Sequence, residues 1–234
     1  MLSEGGAYVV PFLWGMGLLF LDWVAIYTLF EDRGAPLVVG DGGEEKGVLG
    51  ELGLLLCARE RRSFFGSYLC FTVGWNAYLL FIPVLWMERF SFTAGQIGGM
   101  YSYGALWFLA SSGLLIHPLL RRFSSPRLLH WSLIASGLCF LPLLFFSSAT
   151  LYWPLFPLQF FFYALFMAAS YAHASNQVGE REQGAMMGVM QAIVSLGVVI
   201  ATLLAAPLVG WNVQMALVLG LVGSILAAGL YRTT

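Results

Sequence analysis

The stretch AMMGVMQAIVSLGVVIATLLAAPL, residues 185–208, runs for 24 residues without one charged side chain. At 1.5 Å rise per residue, about 20 helical residues cross the hydrocarbon layer of a bilayer. A segment this long and this apolar is read as a membrane-spanning helix. Similar runs recur on both sides of it. Working outward, the sequence predicts spans at about 8–30, 64–86, 96–120, 128–146, 151–175, 185–208 and 211–231. The predicted fold class is therefore an all-α integral membrane protein of seven helices. It divides into a first transmembrane helix (1–30), a linker (31–63) and a six-helix block (64–234).

Composition supports the same reading. Of 234 residues, 59% are apolar and only 10% charged, against roughly 25% charged in a soluble domain. With 11 Lys and Arg and 12 Asp and Glu, the chain has too few charges to cover a water-exposed surface. A net charge of −1 and no basic cluster beyond Arg59, Arg61 and Arg62 exclude a nucleic-acid partner. Cys57, Cys70 and Cys139 lie far apart, without metal-ligand spacing, and read as structural thiols. No cofactor or metal site is implied. The first span has Glu4 and no basic residue before it and is too long for the apolar region of a signal peptide.

Orientation follows from the basic residues. Ten of the eleven fall in 31–63, the 121–127 turn, the 176–184 loop and the C-terminal tail, leaving Arg89 alone on the opposite side. Cytoplasmic segments collect Lys and Arg. The N-terminus is expected outside and the C-terminus inside, in the cell (inner) membrane. The linker opens with Gly34, Gly40, Gly42 and Gly43, a flexible composition. Its second half, about 47–59, reads either as a short surface helix or as more linker.

Lipid offers polar side chains no hydrogen bonds, so those inside spans mark faces turned toward protein or water. At helical period they form stripes. Tyr68, Thr72, Trp75 and Asn76 share the second span; Gln96, Tyr103, Trp107 and Ser111 share the third. Gln159, Tyr163 and Ser170 share the fifth; Gln191, Ser195 and Thr202 share the sixth. The fourth and seventh spans have no such amide. Such residues either join helices to one another or line a cavity. An aromatic-plus-amide lining suits an apolar or amphipathic solute. The candidate lining is Trp75, Asn76, Tyr103, Trp107, Gln159, Tyr163 and Gln191, expected to face one common cavity. Asp22 is the one acid inside a predicted span and is either a proton-coupling site or a structural acid. His173 is placed near the cytoplasmic interface, while His117 and His130 flank a solvated turn.

Several stretches then carry a family resemblance. VPFLWGMGLLFLDWVAIYTLFEDR (10–33) and the linker segment LVVGDGGEEKGVLGELG (37–53) are two. ERFSFTAGQIGGMYSYGAL (88–106), HPLLRRFSSPRLLH (117–130) and NQVGEREQGAMMG (176–188) are three more. Together they resemble the second half of a major facilitator superfamily transporter, of the bacterial drug-efflux, tetracycline-resistance-like branch. The resemblance implies that the seven spans correspond to the family's sixth through twelfth helices. The six-helix block would then be two inverted three-helix repeats, with the striped helices around the central cavity. It also implies a cytoplasmic latch at Arg121, Arg122 and Arg127, whose loop lacks the family's usual Gly and Asp. The family's first five helices are not represented. The chain is thus expected to be truncated or half-size, working with a missing or separate N-terminal half or a second copy.

The expected function is secondary transport of a small solute by alternating access, including drug/proton antiport, with lipid and solute as partners. The alternatives are a seven-helix receptor or a non-transporting membrane subunit. A retinal-type receptor is excluded because Lys46, the single lysine, lies in the linker. No clustered acids and histidines and no Ser–His pair at matching depth indicate an enzyme.

Overall fold

The computed structural model describes residues 16, 17, 19–21, 23, 24, 27, 28, 59–146, 148–179 and 182–231. The chain divides into two units, Met1–Glu45 and Lys46–Thr234. In the first unit the described residues are helical and fall within the predicted first span. Asp22, and the linker as far as residue 58, lie outside the described residues.

The second unit holds α1 (Arg59–Phe90), α2 (Ala94–Arg122), α3 (Ser125–Phe145), α4 (Tyr152–Ser175), α5 (Gln183–Trp211) and α6 (Met215–Leu230). They follow the predicted second to seventh spans, with shifted ends. Helix α1 starts at Arg59 rather than Phe64, so the basic end of the expected linker is already helical. Helix α6 is shorter than its predicted span, at 16 residues. By length and composition the five helices before it are able to cross a membrane.

Local sequence explains the breaks. Ser91 adopts a left-handed conformation (φ 52°) just past α1, while Phe92 N–H closes back on the Trp86 carbonyl; this satisfies terminal acceptors that the helix leaves open. Thr93 then caps α2 in a reciprocal box. Its Oγ1 accepts from Gln96 N–H, and Gln96 Oε1 accepts from Thr93 N–H at 2.8 Å. Gln96, expected in a cavity stripe, is a capping residue instead. Helix α2 widens to a π turn at Ser111–Leu115, immediately before Pro118. Proline has no N–H for the Leu114 carbonyl and its ring crowds that carbonyl, which a wider turn relieves.

Packing is interleaved. Helix α1 packs mainly on α6 and α5, α4 packs mainly on α3 and α2, and α3 meets α6. The first helix of each triplet thus rests on the second and third helices of the other. The α1–α6 seam is made of small residues. Ser67 Oγ donates to the Ala227 carbonyl at 2.7 Å, and Ser63 Oγ donates to the Leu230 carbonyl. A Cβ placed on Gly74 would stand 2.8 Å from the Gly223 Cα. In a bilayer, such close backbone approach supplies the dispersion contacts that bind helices together.

Candidate functional site

Helices α1 and α4 meet through a column of aromatic rings. Trp75 and Tyr163 stack with ring centroids 4.4 Å apart and planes within 6°. Phe71 and Phe166 lie 4.0 Å apart, and Tyr68 stacks on Phe166 at 5.5 Å. Toward the Ser91 end, Trp86 is enclosed by Tyr101, Tyr152 and Phe156. Within this column Tyr78 donates to Gln159 Oε1 at 2.6 Å, both side chains fully buried. Gln159 Nε2 has no hydrogen-bond partner among the described residues. A buried amide with unused donors is costly, so this nitrogen is a place where a water or a solute acceptor gains a hydrogen bond.

Beside the column, a cleft of about 270 Å³ opens between α1, α2 and α5. Asn76, Leu79 and Leu80 form its floor, and Tyr101 and Val198 its sides. Asn76 Nδ2 donates to the Thr72 carbonyl at 2.8 Å, leaving Oδ1 with no hydrogen-bond donor among the described residues. The Tyr101 hydroxyl donates to the Leu79 carbonyl, so that ring presents its apolar face. The cleft therefore offers one amide acceptor among apolar walls.

The seven expected lining residues are not gathered around one cavity. Trp75 and Tyr163 are together, and Gln159 is closed off with Tyr78 one helical turn away. Asn76 lines the cleft. Tyr103 packs against Trp153, with ring centroids 5.6 Å apart. Trp107 on α2 and Gln191 on α5 stand on faces that no other described helix covers. In this structure the seven fall in different settings: Trp75, Tyr163 and Gln159 in a closed column, Asn76 in an open cleft, Tyr103 against Trp153, and Trp107 and Gln191 on uncovered faces of α2 and α5. The reason is that aromatic rings on α1 and α4 bury more area against one another than in a water-filled groove. Tyr78 and Tyr101, absent from the expected set, supply the partner and the wall. No pattern in the sequence marks Tyr78 as the partner of Gln159, because the pairing depends on how α1 and α4 approach each other.

Among the described residues there is no His, Cys or acidic cluster able to hold a metal ion, and Cys70 and Cys139 are free thiols. Arg121, Arg122 and Arg127 are exposed, the first two in the last turn of α2, where cations favour the helix dipole. His117 is exposed as expected. His130 is not solvated as expected: it is half-buried, 6.4 Å from the Tyr231 ring, with Nδ1 closed off and without a hydrogen-bond partner among the described residues. His173 packs edge-on against Phe64 and Tyr231.

Residues 64–234 match a family model described as Major Facilitator Superfamily. No curated protein matches the chain.

Proposed function

The chain belongs to the major facilitator superfamily, a family of membrane transporters, and from that premise we propose that it moves a small apolar or amphipathic solute by alternating access. The observation that carries this reading is the cleft between α1, α2 and α5, with the Asn76 carbonyl oxygen unengaged among apolar walls. Apolar walls with one or two fixed polar groups recognise an amphipathic solute better than a hydrated ion.

The uncovered faces of α2 and α5 flank that cleft. Leu109 and Ser112 are exposed on the Tyr101 side of α2 and Trp107 further round that helix, while Gln191, Val199 and Thr202 are exposed along one face of α5. Gln191 makes no hydrogen bond through its side chain among the described residues, and hydrocarbon would leave its amide unpaired. In this proposal a second six-helix half closes over these faces, supplied by a longer chain, a separate chain or a second copy. The interleaved triplets rock against it. The aromatic column is then the closed gate: opening it exposes Trp75, Tyr163 and Gln159 to the solute, while Asn76 already lines the path and Trp107 and Gln191 face the second half. In its finer form the proposal is proton-coupled efflux with Asp22 as the coupling acid, the cytoplasmic latch at Arg121, Arg122 and Arg127, and the N-terminus outside.

Transport of a fluorescent amphipathic dye in proteoliposomes tests the reading. Asn76→Ala and Trp107→Ala are expected to lower the rate without lowering the melting temperature, and Asp22→Asn to abolish its dependence on a proton gradient. Rates equal to wild type for the first two variants would remove the cleft from the transport path.

A further inference from the structure

A second cleft, of about 490 Å³, lies where the Ser91-side end of α1 meets the end of α5 and the turn joining α5 to α6. It shares no lining residue with the cleft at Asn76. Its size falls within the roughly 300–1,000 Å³ common for small-molecule sites. Helix α1 contributes Phe81, Val84 and Glu88, spaced to fall on one face. Helix α5 contributes Val209 and its last residue, Trp211, and the turn contributes Asn212.

The charges here are arranged unevenly. Arg89 is turned onto the turn residue Gln214. With the Gln214 amide oriented so that its oxygen faces the guanidinium, Arg89 donates to Oε1, with Nη1 at 2.7 Å. The Asn212 Oδ1 accepts from the Gln214 N–H at 2.9 Å, which fixes the turn. Glu88, next in sequence, makes no ion pair or hydrogen bond through its side chain among the described residues. Glu88 lines the same cleft as Phe81 and Val84, and so does Trp211, which is 82% exposed.

A carboxylate and an indole lining one cleft favour a cation twice over, through charge and through the ring's negative face. The floor of Phe81, Val84 and Val209 gives a hydrated inorganic cation nothing in exchange for its water. It does accept a hydrocarbon chain, gaining from every methylene it covers. An anionic group is repelled by Glu88. We propose that this cleft binds an amphipathic ammonium, with its head at Glu88 and Trp211 and its chain laid along Phe81, Val84 and Val209. The ammonium comes either from a membrane lipid headgroup or from a soluble cationic amphiphile. The lining of this site is separate from that of the cleft at Asn76, so it does not rest on the function proposed above.

The test uses the full chain in vesicles of uncharged glycolipid and an octylammonium carrying a nitroxide, which quenches nearby indoles. Trp211→Phe identifies the share of quenching that belongs to Trp211. Saturable quenching of that share is expected, with the half-saturating concentration raised about tenfold or more by Glu88→Gln, a change worth roughly 1.4 kcal/mol. Val84→Trp, which fills the cleft, is expected to abolish it. Repeating the titration with half the lipid replaced by phosphatidylethanolamine separates the sources. A weakened probe identifies the lipid headgroup as occupant, and an unchanged probe identifies the soluble amphiphile. Glu88→Gln is nearly isosteric at an exposed position and leaves the fold intact. Quenching of that variant equal to wild type, or persistence of quenching in a folded Val84→Trp, would overturn the proposal.

Discussion

Trp75 on α1 and Tyr163 on α4 lie face to face, ring centroids 4.4 Å apart and planes within 6°. Each belongs to the first helix of its triplet, and each of those helices rests mainly on the other triplet. The stack therefore joins the two triplets directly, and in the function proposed above it is the gate that releases when a solute reaches Gln159. A stacked pair contributes about 0.5–1.5 kcal/mol beyond the area it buries. That is strong enough to hold a closed state and weak enough to release it.

The first prediction concerns this pair. A double-mutant cycle of Trp75→Ala and Tyr163→Ala, read by thermal unfolding in detergent, should show a coupling of about 1 kcal/mol. Strictly additive effects would mean that the rings are neighbours without a shared interaction.

The second concerns the buried amide. Tyr78→Phe removes the donor to Gln159 Oε1 and leaves the Gln159 amide without a partner among the described residues, at a cost of about 1–3 kcal/mol. Adding Gln159→Leu should recover much of that stability while lowering transport. Full transport by the double variant would assign Gln159 to helix packing alone.

The third concerns the α1–α6 seam. Gly74→Val places a side chain against the Gly223 Cα and the Leu219 carbonyl, where overpacking typically costs about 1–3 kcal/mol. Gly98→Ala on α2, with nothing within 4 Å of its new Cβ, should change stability little. Equal melting temperatures for the two variants would contradict the close crossing.

Helix positions in the block 64–234 were legible because the signal is coarse: about 20 apolar residues in a row leave few alternatives. The ends were less so. Arg59 and its neighbours extend α1 because a helix end can project beyond an apolar layer, a feature hydropathy does not register. The site was legible by residue type and not by grouping. Trp75 and Asn76 are adjacent in sequence, yet one faces α4 and the other the cleft with α2 and α5. A turn of about 100° per residue separates them, and only the positions of the neighbouring helices decide which side is open. Gln96 misled for a similar reason. As the third residue after a threonine, it is drawn to the backbone of its own helix start.

The fourth prediction concerns orientation. A reporter fused after Thr234 or within 41–46 should report a cytoplasmic location, and one inserted near Ser91 an external one, given ten of eleven basic residues on the first side. An external signal from the 41–46 fusion would invert the helix assignment.

The central claim is that the cleft floored by Asn76 belongs to a solute path. It is tested most directly by labelling single cysteines with a membrane-impermeant thiol reagent, in a chain whose Cys57, Cys70 and Cys139 have been replaced. Cysteine at Asn76, Trp107 or Gln191 should react, and an amphipathic solute should protect the position at Asn76. Cysteine at Leu133, fully buried on α3, should stay unmodified. An Asn76→Cys chain as inert as Leu133→Cys, with or without solute, would contradict the account.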